Sequence, residues 1–185
     1  MPQSILNKTK ENMEKSVSVF VEELSRMRTG RANTSLLDGV EVEYYGSKVP
    51  LSQVATLGVP EPRMITVKPF EARIIPDIER AIMTSGLGLT PANDGKMIRV
   101  PVPQLTEERR KDLVKVAKKQ AEEAKVAIRN LRRDANDALK KKQKEGAISE
   151  DDLRKYEKQV QDITDHEIKR IDQITADKEK DILQV

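Results

Sequence analysis

Cysteine is absent from the 185-residue chain, which rules out a disulfide framework, a thiol nucleophile and a thiolate metal site. Aromatic residues are scarce, at 3% against 35% charged residues. That balance favours long helices supported by ion pairs over a sandwich or barrel. Histidine occurs once, at His166, and a single histidine without cysteine does not make a typical zinc site. No apolar run is long enough to span a bilayer. The opening residues MPQSILNKTK lack the apolar core of a secretory signal. These absences lead to the expectation of a soluble cytoplasmic protein with no membrane contact, no metal and no cofactor.

What the chain has in quantity is charge, and the charge is sorted. The net +3 divides into +1 over residues 1–104, +6 over residues 105–145 and −4 over residues 149–185. One segment therefore carries the positive field.

Residues 4–28 read as a helix with one apolar stripe through Leu6, Met13, Val17, Phe20, Leu24 and Met27, stopped near Gly30. Residues 30–104 then hold eight of the nine prolines and seven of the eight glycines. Within them, VEVEYYG alternates as a half-buried strand does and turns through Gly46-Ser47 into KVPL. MITVKPF and MIRVPV read as two more strands, and IIPDIERAIMTS as a crossover helix between them. From Thr106, a fitting N-cap, a helix runs to Gly146 on a seam of Leu113, Ala117, Ala121, Ala124, Ile128, Leu131 and Ala135. Ser149 opens the last helix, whose stripe is Leu153, Tyr156, Val160, Ile163, Ile171, Ile174 and Ile182.

Three stripes that cannot be buried singly can bury one another. The expected fold is α+β: an elongated three-helix bundle with an inserted small β/α/β domain. Residues 1–29 and 105–185 form the bundle. Residues 30–104 form the insert, on a two-stranded hinge through Gly30, Arg31, Pro101 and Pro103.

Projected at about 100° per residue, the helix of residues 105–145 puts Lys111, Lys115, Lys118, Lys125, Arg129, Arg132, Arg133 and Lys140 on one side. Asp112, Glu123, Asp134 and Asp137 fall on another, while Glu122 interrupts the basic stripe. A solvated face held by i,i+4 pairs would interleave the signs. Sorting them favours an external anion. A long straight stripe suits a polyanion, and arginine's planar fork suits phosphate. RNA is the partner these features favour, recognised by backbone and shape because few aromatics are available to stack on bases. The competing occupant is an acidic protein gripped by a helical adaptor. Arg28, Gly30 and Arg31, at the junction, fit a bare surface loop and an extension of the basic face equally well.

Other signals carry less. GLGLTPANDG lacks a P-loop lysine and the GxGxxG spacing. ISEDDL lacks calcium-loop spacing, and capping explains its acids. No nucleophile motif supports a Ser-His-Asp triad.

The stretches RTGRANTSLLDGVEVEYYG, SGLGLTPANDGKMIRVPVPQLTEERRKDLVK, AEEAKVAIRNLRRDAND and GAISEDD are similar to the signature stretches of bacterial ribosome recycling factors, from end to end and in the same order. The resemblance implies an L-shaped, two-domain monomer that hydrolyses nothing. It implies docking along large-subunit ribosomal RNA of the post-termination ribosome. Elongation factor G and GTP would then drive the subunits apart, releasing mRNA and tRNA. It maps RNA contacts onto Arg129, Arg132 and Arg133, with Arg110, Arg28 and Arg31 also matching, while Lys118 and Lys125 come from the helical projection alone. Gly86 and Thr90 depart from the family pattern, in a loop of the insert.

Overall fold

The computed structural model describes residues 1–29 and 31–184. The stop and hinge expected at Gly30 lie outside the described residues. The chain forms ten principal elements: α1 (Pro2–Ser25), β1 (Glu41–Tyr44), β2 (Ser47–Pro50), β3 (Ala55–Glu61), β4 (Met64–Pro69), α2 (Ile75–Thr84), β5 (Ala92–Asn93), β6 (Ile98–Pro101), α3 (Glu107–Lys144) and α4 (Glu150–Leu183). None of the described helices is long and apolar enough to cross a membrane.

Two compact units emerge. The first comprises Met1–Leu24 and Val114–Asp181; the second comprises Ser25–Leu113 and the residues from Ile182 onward. The first turns of α3 thus group with the insert.

The helical unit is α1 with most of α3 and α4. Met13, Val17, Phe20 and Leu24 of α1 are buried, as are Ala117, Ala121, Ile128, Ala135 and Leu139 of α3. Leu6, Ala135, Leu139 and Val160 meet in one cluster, drawing on all three helices. The capping chemistry explains the helix ends. Thr106 Oγ1 accepts from the Arg109 amide at 3.1 Å, and Ser149 Oγ from the Asp152 amide at 3.1 Å. Gly146 takes a φ of 76°, which lets the Ala147 amide reach back to the Lys142 carbonyl at 2.9 Å and closes α3.

On α4 the buried seam differs from the apolar stripe. Leu153, Tyr156, Ile163 and Ile174 are only half-buried, while Thr164, Glu167 and Thr175 are buried. Both threonines satisfy their hydroxyls on their own helix, donating to the Val160 and Ile171 carbonyls at 2.7 Å. Glu167, 1% exposed, accepts from Arg170 Nη1 at 3.0 Å.

The second unit holds an antiparallel hairpin, β1–β2, and a four-stranded antiparallel sheet of order β3-β4-β6-β5. β4 and β6 pair antiparallel, so α2 is not the crossover of a parallel βαβ unit that the sequence pattern suggests. Val42, Ile65, Val67, Ile78, Ile82, Ile98 and Val100 share one core. β3 is not expected from the sequence, because Gly58 and Pro60 break its pattern. The register slips between Gly58 and Glu61, and the proline sits within that slip.

Candidate nucleic-acid interface

α3 fixes the spacing of the arginines. Its buried seam turns Ile128 and Ala135 inward, and the helical period then places Arg129, Arg132 and Arg133 outside that seam. Arg133 is exposed, and Arg129 and Arg132 are half-buried. Arg129 and Arg133 form no ion pair among the described residues, while Arg132 Nη1 reaches only the amide oxygen of Gln161, at 3.4 Å. Lys140, further along the same side, is exposed and unpaired among the described residues.

The N-terminal part of the stripe is different. Lys111 Nζ lies 2.9 Å from Glu107, and that interaction holds the Glu107 carboxyl below its usual range. Lys118 Nζ sits 3.9 Å from Glu179. Lys125 is the most committed: its side chain is 15% exposed, 2.5 Å from Asp172 and 3.3 Å from Glu122. The hydrogen bond to Asp172 is the main reason its ammonium titrates above the usual lysine range. Lys125 is a strut between α3 and α4 rather than an open cation. A stripe that looks continuous on a helical wheel is therefore largely compensated in its N-terminal half, where Lys115 alone lacks an ion pair among the described residues, and bare from Arg129 onward.

The strut has a measurable pH signature. Asp172→Asn costs about 0.5–1 kcal/mol of stability near neutrality. A lysine pKa raised on folding contributes fully below its unfolded value of about 10.4 and loses that contribution as pH climbs through the folded value. Urea unfolding of parent and variant should differ at pH 8 and converge as pH climbs past the raised folded value.

The remaining sequence candidates belong to the second unit. Arg28 donates from Nη2 to the Pro103 carbonyl at 2.9 Å, and its Nε is buried without a partner. Its guanidinium thus ties the two chain crossings together, on a side chain that is half-buried. The β3–β4 turn binds both crossings through its backbone. Ala32 donates to the Pro62 carbonyl at 2.6 Å, and Val102 to the Arg63 carbonyl at 2.8 Å. This lacing brings Arg31 and Arg110 around one open cavity of about 700 Å³ together with Arg63, which the sequence alone does not single out. Arg110 Nη2 donates to the Leu105 carbonyl at 3.3 Å, and Arg63 Nη1 approaches Gln104 Oε1 at 3.4 Å. Glu61 lines the same cavity yet pairs with none of the three. Pro101 and Pro103 are exposed at this crossing. His166 is exposed, and among the described residues no cluster of three acidic or histidine side chains is placed to hold a metal.

Known proteins share both the sequence and the fold. The family profile described as "Ribosome recycling factor" matches residues 20–183. The ribosome-recycling factor of Bacillus subtilis (strain 168) is 55% identical over 185 residues, covering the whole of both chains. That of Listeria monocytogenes serotype 4a (strain HCC23) is also 55% identical, again over the whole of both. Among solved structures, a solution structure of the ribosome recycling factor matches with a TM-score of 0.80 at 38% identity, covering 100% of this chain and 98% of that one. A model of the T. thermophilus ribosome recycling factor, with E. coli elongation factor G on the E. coli post-termination complex, matches with a TM-score of 0.70 at 45% identity over all of both chains.

Proposed function

The chain belongs to the ribosome recycling factor family, whose members are non-enzymatic translation factors, and from that premise we propose how its surface performs the task. α3 docks along large-subunit ribosomal RNA of the post-termination ribosome through Arg129, Arg132 and Arg133. Residues 30–104 then take the push of elongation factor G during GTP hydrolysis, and the bundle acts as a wedge against RNA that joins the subunits. Chain crossings at Gly30–Arg31 and Pro101–Pro103 serve as the hinge. The protein acts as a monomer in the cytoplasm, without a cofactor, and the work comes from the partner's nucleotide.

The observation that carries this reading is the trio of arginines left without carboxylates, among the described residues, while Lys111, Lys118 and Lys125 of the same stripe each face one. Phosphate contacts hold register and orientation without reading sequence, which suits a wedge. That a relative is described with elongation factor G on a post-termination complex supports the choice of partners.

Sedimentation of post-termination ribosomes tests it. With elongation factor G and GTP the chain should convert 70S particles to subunits, and without either it should bind and leave them joined. Nuclease treatment separates the adaptor reading, since association that survives digestion of the RNA requires a protein partner.

A further inference from the structure

We propose that the β1–β2 turn displays Tyr45 as a protein-docking residue, beside an acidic notch that accepts a lysine or arginine from a partner's loop. This proposal rests on the reading above, because its readout is recycling.

The chain has two phenylalanines and three tyrosines. In so aromatic-poor a protein, burial would be the expected use of each ring. Tyr45 instead is 71% exposed, and Phe70, one residue before Glu71, is 67% exposed. Tyr45 also occupies an unfavourable backbone position. Its φ is 49° and that of Gly46 is 80°, the pair of positive angles a two-residue hairpin turn requires. Asn-Gly fits such a turn far better, and a bulky side chain at positive φ is strained. The turn conformation therefore does not explain the tyrosine.

A network holds the ring where it is. Tyr44 donates its hydroxyl to Glu71 Oε1 at 2.6 Å, and Arg73 Nε donates to Glu71 Oε2 at 2.8 Å. The Arg73 guanidinium then lies 4.4 Å from the centroid of Tyr45, and the Tyr44 ring meets Tyr45 edge-on at 4.4 Å. A preordered tyrosine flanked by an arginine is the composition of an interface hot spot, with the ordering entropy already met by the fold.

Charge decides the class of partner. Glu43 and Asp77 line the same notch, of about 210 Å³. Lys48 stands across the ladder from Glu43 without forming an ion pair among the described residues, and Arg80 reaches Asp77 only at 3.9 Å. Arg73, the cation inside the notch, is already matched to Glu71. Two carboxylates so weakly compensated repel phosphate and attract a cationic side chain, whose alkyl stem would pack on Tyr45. The chain thus presents phosphate-seeking arginines on α3 and a cation-seeking notch in the insert, two chemistries for two kinds of partner.

Tyr45→Asn separates display from structure, because it improves the turn while removing the ring. The full-length variant should keep or raise its thermal midpoint, bind large subunits like the parent, and split post-termination ribosomes about ten-fold more slowly with elongation factor G and GTP. Glu43→Lys with Asp77→Lys should slow splitting similarly. Parent-like splitting by Tyr45→Asn overturns the proposal, and so does slow splitting accompanied by a lowered thermal midpoint. A benzophenone side chain installed at position 45 should crosslink, within the assembled complex, to a protein segment bearing lysine or arginine. Adducts to RNA alone, or none, count against it. If the parent itself fails to split ribosomes, the functional reading falls instead.

Discussion

Replacing Arg129, Arg132 and Arg133 together with alanine should weaken binding to the large ribosomal subunit by about a hundred-fold or more at moderate salt. A hydrogen bond to a charged group contributes about 1.5–3 kcal/mol when its partner is otherwise left unpaired, and three such bonds are removed. The dependence of affinity on salt should flatten as well. Each phosphate that is no longer neutralised takes roughly 0.7–0.9 from the slope of log affinity against log salt, so the triple variant's slope should be shallower by about 2–3. Lys118→Ala and Lys125→Ala are the internal controls. Both lysines lie on the same side of α3, yet each already faces a carboxylate, Glu179 for Lys118 and Asp172 for Lys125. Each should change affinity by about two-fold at most, since a compensated charge offers little to a phosphate. Folding should be indifferent to the triple substitution, because none of the three arginines forms an ion pair, among the described residues, that it would break. Filter binding or sedimentation across a salt series measures both quantities. Should the triple variant retain the parent's affinity and slope, α3 is not the docking face, and the cavity lined by Arg31, Arg63 and Arg110 becomes the next candidate.

The contrast between those lysines and arginines marks where sequence reading ends. A wheel drawn for one helix registers Lys118 and Lys125 as members of a basic stripe, because their own helix supplies only Glu122 to oppose them. Their principal partners lie on α4, far along the chain, and come close only through packing. Arg63 is hidden in the sequence for the same reason. Nothing in EPRM points to Arg31 and Arg110 until the β3–β4 turn is laced to both chain crossings. The ends of α3 and the start of α4 were legible because their causes are local: a threonine, a serine and a glycine at the right offsets. By contrast α1, read to residue 28 with Met27 in its stripe, ends instead at Ser25. The buried seam of α4 was only partly legible. Counting apolar residues selects Ile163 and Ile174, whereas the period of packing selects Thr164, Glu167 and Thr175, whose polar atoms are satisfied on their own helix. β3 was hidden because a strand carrying Gly58 and Pro60 reads as a loop unless its neighbour is known.

On the opposite side of α3 the expected result reverses. Ile128 is 0% exposed, next in sequence to Arg129, and is the largest side chain among the buried alanines of the helix's central seam. Ala117, Ala121 and Ala124 allow close approach but supply little buried area, so the seam depends on its few larger residues. Ile128→Ala removes three carbons from a packed site that can only partly collapse, and should cost about 2–5 kcal/mol. Against a typical net stability of about 5–15 kcal/mol, that is a large share. The thermal midpoint of the chain should fall by roughly 4–20 °C. Below that transition the arginines keep their spacing on an intact helix, so affinity for large subunits at low temperature should stay within about two-fold of the parent, because Ile128 faces the seam and the arginines lie outside it. Calorimetry beside binding at low temperature checks both halves. A small shift in midpoint would show that the helices of the bundle close over the deletion. A large loss of binding at low temperature would mean that the two faces of α3 are coupled, and that seam packing sets the arginine geometry instead of merely supporting it.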